Sequence, residues 1–300
     1  MSDEGTRVFA EHRELLFSIV YNLLGVVADT EDVLQDTWLA WAPKAAEEDA
    51  SGERRIVSPR AYLVRIAVNT ALARRESIVR RRETYVGPWL PEPLATSSAD
   101  DTGDAAGPAL RAESVSLAML VVLETLTPLE RAVFVLHEVF GYAHPEIAEI
   151  IGRTPAAVRQ LAHRAREHVQ ARRPRFPADP RTQRRVTEQF LTASLGGDLE
   201  GLLSMLAPDV TLWTDGGGRV GQALRPVHGR ENVAGLLTSV TRTRPPELEI
   251  RYREVNGDPS AVLFSADEPF AAMVLDIDGD RITGVYAVTN PDKLTHVGDG

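Results

Sequence analysis

The stretch 126-LTPLERAVFVLHEVFGYAHPEIAEIIGRTPAAVRQLAHRAREHV-169 divides into three short helical patterns, each with its own start and stop signals. Thr127 is placed to cap the first helix, with Pro128 at its first position and Glu130 at its third, the spacing of a capping box. Leu129, Val133, Leu136 and Phe140 supply its expected buried stripe, and Gly141 ends it. Pro145 starts a second helix that turns Ile147, Ala148 and Ile151 inward; Gly152 supplies the tight turn, and Thr154-Pro155 opens the third. On that third helix Val158, Leu161, Ala162 and Ala165 follow the i, i+3, i+4, i+7 rule for one apolar face. Two capped helices joined by a glycine turn form a helix-turn-helix pattern.

The opposite face of the third helix carries Arg159, Gln160, His163 and Arg164. Arginine can bridge guanine acceptors or phosphates and glutamine can pair with adenine, so this face suits a DNA major groove. Thr154 and the small Ala156 lie at the helix N-terminus, where a close approach to DNA is possible. The bland alternative is a basic helix packed on acidic protein. His163 and His168 have no carboxylate or thiol partner at ligand spacing, which argues against a metal site.

The chain has 300 residues, 43% hydrophobic and 25% charged, enough for two or three domains with real cores. Cysteine is absent, which excludes disulfides, thiolate metal sites and cysteine nucleophiles and suits a reducing cytoplasm. Neither a bilayer-spanning apolar run nor a signal peptide can be read, so a cytoplasmic protein without membrane association is expected. The net charge of -10 conceals two basic islands: nine arginines lie between Arg54 and Arg82, and seven between Arg153 and Arg175. Only Lys44 and Lys293 are lysine among 33 basic residues.

Towards the N-terminus, Phe9, Leu16, Val20 and Leu23 share one helical face, and Gly25 ends that helix. Thr30 is the expected N-cap of the next, with Val33, Leu34, Trp38 and Trp41 inward and Asp32, Gln35 and Asp36 outward. Taken alone, that acidic side reads as a solvated helix face. Ser58-Pro59 then opens a helix with Leu63, Ile66, Ala67 and Thr70 inward. Its other face carries Arg60, Tyr62, Arg65, Asn69, Arg74 and Arg75, which combines phosphate-neutralising arginines, a stacking ring and a base-pairing amide, the materials of single-strand recognition. Residues 85–115 read as a linker. Its first half, "GPWLPEPL", carries Trp89 and Leu90, which suggest docking on a neighbouring domain; its second half is small, polar and acidic.

Three motifs in this order resemble those of extracytoplasmic-function RNA polymerase sigma factors. "TEDVLQDTWLAW" resembles the region that engages the polymerase clamp, "SPRAYLVRIAVNTALARR" the region that melts and reads the minus-ten element, and the opening stretch the minus-thirty-five reader. The resemblance implies that Asp32, Gln35 and Asp36 contact polymerase, which replaces the solvated-face reading. It implies that Arg60, Tyr62, Arg65, Asn69, Arg74 and Arg75 meet the minus-ten element, and that Thr154, Ala156, Arg159, Gln160, His163 and Arg164 meet the minus-thirty-five element.

Beyond a proline-broken boundary, "PRFPADPR", helices with Val186, Phe190, Leu191 and Leu195 and with Leu202, Leu203 and Leu206 are followed by strands near 210–213, 248–255, 261–265, 270–277 and 281–288 and a helix at 231–240. Helices followed by an antiparallel meander fit an α+β cone. This tail resembles the SnoaL-like branch of the NTF2-like fold. With "GPWLPEPL", "DGGG" and "NPDKL", the chain resembles the sigma subgroup that carries this domain fused. The implied docking residues are Trp89, Leu90, Asp215, Gly216, Asn290, Pro291 and Asp292. Some relatives of the fold are enzymes with Asp and His inside the cone, and Trp213, Asp215 and His228 are candidates to line such a cavity. Asp215 before three glycines also fits simple turn chemistry.

The expected organisation is therefore multidomain: a first all-α sigma module (1–84), a linker (85–115), a second all-α sigma module with the helix-turn-helix (116–175), and an α+β cone-shaped NTF2-like domain (183–295) that modulates activity. Expected partners are core RNA polymerase, through its clamp, and promoter DNA. No cofactor or metal is expected, an unidentified small ligand in the cone is left open, and the free chain is expected to be a monomer. The competing readings are a SnoaL-like isomerase or hydrolase whose DNA-binding half controls its own expression, and a ligand-sensing repressor.

Overall fold

The computed structural model describes residues 3–51, 56–96, 115–172, 178–219, 223–240, 245 and 247–297. Most of the acidic half of the linker and the first part of "PRFPADPR" lie outside the described residues, as do Arg54 and Arg55. The chain forms two compact units. Residues 1–83, 105–115 and 122–172 make the first, and 84–104, 116–121 and 173–300 the second.

The first unit is all-helical. Its N-terminal part packs α1 (Asp3–Leu24), α2 (Val27–Ser51) and α3 (Pro59–Glu83) around Leu16, Val20, Leu23, Val33, Leu34, Trp41, Leu63 and Ala67, all buried. Trp41 can be buried because its indole N–H donates to the Gly5 carbonyl at 2.9 Å. Gly25, at φ 70°, ends α1 as expected. Thr30 is not the N-cap expected for α2, because the helix starts one turn earlier. Its hydroxyl is buried inside the helix and donates to the Val26 carbonyl.

The second part of this unit contains the C-terminal turn of α4 (Leu117–Leu123), then α5 (Pro128–Phe134), α6 (His144–Ile151) and α7 (Pro155–Gln170). The Thr127–Glu130 capping box is formed, Gly152 adopts the left-handed conformation at φ 64°, and Thr154 caps α7 by accepting from the Ala157 N–H. One expectation fails. After α5 the backbone widens into a π turn at Val135–Val139, and the extra residue rotates Phe140 off the buried stripe, leaving it half-exposed.

In the second unit a seven-stranded sheet runs in the order β1-β4-β5-β6-β7-β2-β3. Its strands are β1 (Ala95–Thr96), β2 (Leu206–Asp215), β3 (Val227–His228), β4 (Glu249–Val255), β5 (Asp258–Ser265), β6 (Glu268–Asp278) and β7 (Arg281–Val288). All neighbours are antiparallel except β2 and β7. Because side chains alternate along a strand, the longer strands feed two separate cores. Val210, Leu212, Ala261, Leu263, Met273, Leu275 and Val285 pack with α8 (Pro180–Gly196), α9 (Leu199–Met205) and α10 (Arg230–Val240). Val262, Phe264, Ala272, Val274, Tyr286 and Val288 face the other way and are covered by Leu90, Leu117, Leu294 and Val297. This is the expected α+β arrangement, with one feature not anticipated: the linker supplies an edge strand, Ala95 pairing with Val255 and Thr96 with Glu254.

Candidate nucleic-acid interface and linker-docking site

On α7 the apolar residues Val158, Leu161, Ala162 and Ala165 are buried, which leaves Arg159, Gln160, His163 and Arg164 exposed together with Thr154 and Ala156 at the helix start. Arg164 reaches Glu130 at 3.0 Å and His163 reaches Glu167 at 3.5 Å. His163 and Glu167 are both solvated, and Arg164 is itself exposed although Glu130 is largely shielded by its capping box, so His163 and Arg164 can each exchange the carboxylate for a phosphate or base contact.

The α3 face differs from expectation. Arg60, Tyr62 and Arg65 remain accessible in whole or part, with Tyr62 leaning on Trp41 at a ring separation of 6.1 Å. Asn69, however, donates its amide to the carbonyls of Arg65 and Ile150, each at 2.7 Å. Arg74 is paired with the buried Asp29 at 2.8 Å and also with Asp32. Arg75 cannot meet a phosphate as it stands: it is 3% exposed, donating to the Leu23 carbonyl and to Glu124. Helical spacing places Arg75 beside Arg74, but the angle of one residue turns it inward. Asp32, Gln35 and Asp36 are exposed on α2.

Two acids not singled out from sequence organise this region. Asp29 holds Arg74 and Arg81, and Glu124 accepts from Arg75, Arg82 and Arg131. Burial pulls the Arg75 guanidinium down to about 10. Burial, with repulsion from Arg75 and Arg131, pulls Arg82 down to about 9. Arg131, fully buried, is lowered well below its ordinary value by burial and by Arg75.

In the second unit a docking site forms around Asp215, the last residue of β2, which is wholly buried. Its carboxylate accepts from the Leu90 N–H at 2.8 Å, from Lys293 Nζ at 2.7 Å, from the Gly217 N–H at 3.3 Å and from the Tyr85 hydroxyl. Lys293 Nζ also donates to the Leu90 carbonyl at 2.6 Å and lies 3.5 Å from the centre of the Trp89 ring and 5.2 Å from that of Tyr85. Those rings meet edge to face at 4.6 Å. An ammonium enclosed by two π faces and a carboxylate is a well-compensated buried cation. Burial and the bond to Asp215 push the Tyr85 phenol well above its ordinary value, so it stays a donor.

The two short motifs close this box. The Asp215 carbonyl accepts from the N–H groups of Thr289 and Asn290, and the Asn290 amide donates to the Tyr85 hydroxyl at 3.1 Å. Asn290 also caps a 3-10 turn over Pro291–Lys293 by accepting from the Asp292 N–H, which swings Lys293 inward and leaves the Asp292 side chain exposed. Gly216 is buried beside Asp215. At Gly217, with φ 65°, a Cβ would lie 2.9 Å from Asn290; at Gly218, with φ 79°, it would lie 3.0 Å from Val86. Glycine is thus required here both by backbone conformation and by close approach.

Two expectations for a cone cavity are corrected. Trp213 is one residue out of phase with the helix-facing Leu212, so it lies on the linker side and stacks on Tyr286 at 4.8 Å. His228 is exposed, its Nδ1 sharing a hydrogen bond with the Thr211 hydroxyl at 3.0 Å. Asp215 is more than a turn-former, though it does accept from Gly217. Tyr85 and Lys293 were missed in the sequence. The available signal was Lys293 itself, one of two lysines among 33 Lys and Arg residues: a compact ammonium presents three donors from one point, which suits the Leu90 carbonyl and the Asp215 carboxylate that its Nζ meets.

Among known proteins, the family description "Sigma-70 region 2" matches residues 8–81 and "Sigma-70, region 4" matches residues 116–169. The ECF RNA polymerase sigma factor SigJ of Mycobacterium tuberculosis is 35% identical over 96% of this chain and 92% of that protein. A probable ECF sigma factor of the same organism, SigI, is 31% identical over 97% of this chain and 95% of its own length. The crystal structure of SigJ superposes with a TM-score of 0.75 at 32% identity, covering 96% of this chain and 97% of that one. With both sigma regions matched in order and likeness along nearly the whole length, the chain belongs to the extracytoplasmic-function family of RNA polymerase sigma factors.

Proposed function

We propose that this sigma factor is restrained in cis by its own C-terminal domain, which holds both ends of the linker. The observation that carries this reading is that Leu90, in the first half of the linker, and Leu117, just past its far end, are buried in one cluster on one face of the sheet. Minus-ten and minus-thirty-five elements are roughly 25 base pairs apart, about 85 Å along straight duplex at 3.4 Å per base pair. Adjacent strands lie only about 4.8 Å apart. Two readers whose connection is pinned at both ends to a single sheet cannot span the promoter until one end lets go.

In this reading Asp32, Gln35 and Asp36 meet the polymerase clamp, Arg60, Tyr62 and Arg65 meet the minus-ten element, and the α7 face meets the minus-thirty-five element. The Asp215–Lys293 box, with Trp89, Leu90, Asn290 and the glycines, sets how readily the linker is released. The chain acts by binding and leaves phosphodiester chemistry to polymerase. Support for a regulatory rather than catalytic C-terminal domain comes from where its charges lie. Among the described residues, the charged side chains buried in this unit are Glu92, Asp215 and Lys293, all of them on the linker, its docking box or both; the buried Tyr286 phenol packs in the cluster that covers Leu90, and Asp258, itself largely shielded, is hydrogen-bonded to Ser116 beyond the other end of the linker. The core against the helices is built from aliphatic side chains with Phe190 and Met273.

The test is run-off transcription on fragmented genomic DNA with core polymerase lacking any other sigma factor, followed by sequencing of the transcript starts. The full chain should give starts at fixed distances from a shared two-part sequence, and Asp215→Asn should give the same starts at higher yield when sigma is limiting. Equal yields at every sigma concentration would remove the restraint. Turnover of a small substrate by the intact chain, abolished by Asp215→Asn, would favour the enzyme reading.

A further inference from the structure

We propose that Glu124 is the hub of a second restraint, inside the first unit, that holds the two promoter-reading modules face to face in the free chain. This inference rests on the sigma reading above but not on the linker box. Glu124 lies just before the helix-turn-helix, yet it accepts from Arg75 and Arg82, both on α3 of the other module. Arg131, one turn into α5, crosses in the opposite direction: its Nη1 reaches Glu124, and its Nε donates to the Asn22 carbonyl at the end of α1, at 2.8 Å. Asn69 on α3 donates to the Ile150 carbonyl at the end of α6, and the Arg60 guanidinium lies 5.9 Å from the centre of the Tyr142 ring. The contact thus occupies Asn69 and Arg75, two of the six side chains expected at the minus-ten element, and leaves Arg60 exposed beside Tyr142.

Its electrostatics make it a latch rather than a general packing interface. Three guanidiniums share one carboxylate; Arg131 and Arg75 are 0% and 3% exposed. The carbonyls of Asn22 and Leu23, at the negative end of α1, and the field of Asp29 on Arg82 add to the compensation, but Glu124 is the carboxylate that all three guanidiniums reach. Without the Glu124 charge, the closed arrangement would hold Arg75 and Arg131 buried and facing one another, whereas separated modules would return them to water. Loss of the charge therefore weakens the closed form selectively. The closed form cannot place the two readers tens of ångströms apart on a promoter, so its population taxes every productive encounter with polymerase and DNA.

The chain has no cysteine, so labels can be placed at will. Glu76→Cys on α3 and Glu149→Cys on α6, both exposed, would carry a fluorescent donor and acceptor on the full-length protein. Energy transfer should be high in the free chain, fall on adding core polymerase and promoter, and fall in the free chain carrying Glu124→Gln. The same variant should lower the sigma concentration for half-maximal run-off transcription by about tenfold. Arg82→Gln, which removes one of three mutually repelling cations and leaves Glu124 paired with Arg75 and Arg131, should leave both readouts unchanged or shift them the opposite way; a fall in energy transfer as large as that of Glu124→Gln would contradict the electrostatic latch. Energy transfer unchanged by Glu124→Gln and by polymerase would overturn the latch. Absence of promoter-specific transcripts from wild type and variants alike would instead overturn the sigma reading, with the free-chain energy transfer still deciding the latch.

Discussion

Asp215→Asn is the most incisive perturbation of the linker box, because it preserves shape and removes one charge. In the native site the carboxylate accepts from Lys293, Tyr85 and the Leu90 amide, with no exposure to water. The amide leaves the Lys293 ammonium buried between Trp89 and Tyr85 without an anion, and its NH2 group faces donors. Removing one partner of a buried pair costs about 3–5 kcal/mol. Since an undocked linker frees Lys293 to reach water, most of that cost falls on the docked state. The docking equilibrium should shift by about a hundredfold or more, each 1.4 kcal/mol being a factor of ten. Hydrogen exchange reads this directly, because the Leu90 N–H is protected by Asp215 itself. Peptides covering residues 84–96 should exchange about a hundredfold faster in the variant while those from α8 stay protected. Adding Lys293→Met should recover much of the protection, since a neutral side chain no longer needs the anion. Exchange at 84–96 equal to wild type would refute the reasoning; loss of protection throughout the sheet would show that Asp215 maintains the domain rather than the linker.

Further consequences follow from the same geometry. Gly217→Ala meets both a left-handed backbone and Asn290, so the second unit should lose about 1–3 kcal/mol in chemical denaturation, whereas alanine at the exposed and open Gly196 should be neutral or better. Arg159→Ala should cost about 1–3 kcal/mol of promoter binding and relax specificity at one base pair of the upstream element, measurable by titrating single-base promoter variants. Asp258 is pushed up to about 6 by burial and by Asp276, above its unfolded value of 3.8. The folded state therefore holds this proton more tightly, and the contribution favouring folding fades as pH rises through about 6. Relative to Asp258→Asn, the wild-type melting temperature should rise as pH is lowered from 7 towards 5; a parallel pH dependence in the two proteins would contradict this.

What could be read in the sequence was chiefly local. The Thr127–Glu130 box, the Gly152 turn and the Thr154 cap are interactions between residues within a few positions of one another, so residue type and spacing suffice to specify them. The alternation in β2, β5 and β6 likewise gives two faces, although not which of them meets the helices. Failures came where a distant partner decides. For Asp215 the residues alone gave a turn, and only the family resemblance implied docking, because its partners Tyr85 and Lys293 lie 130 and 78 positions away. Asn69 and Arg75 looked like free readers because nothing near them in the chain announces Ile150 or Glu124. Phe140 was misplaced by a π turn that a 3.6-residue period cannot represent. Trp213 was assigned to the wrong face because parity along β2 is fixed only once Leu212 is known to face the helices.

The decisive measurement is transcript yield from one mapped promoter as a function of sigma concentration, with core polymerase held constant, for the wild-type chain and Asp215→Asn side by side. A sigma factor restrained through its linker should give identical start sites from both proteins, with the variant reaching half-maximal yield at lower concentration. Superimposable titration curves would contradict the restraint, and starts that do not depend on promoter sequence would contradict the promoter reading itself.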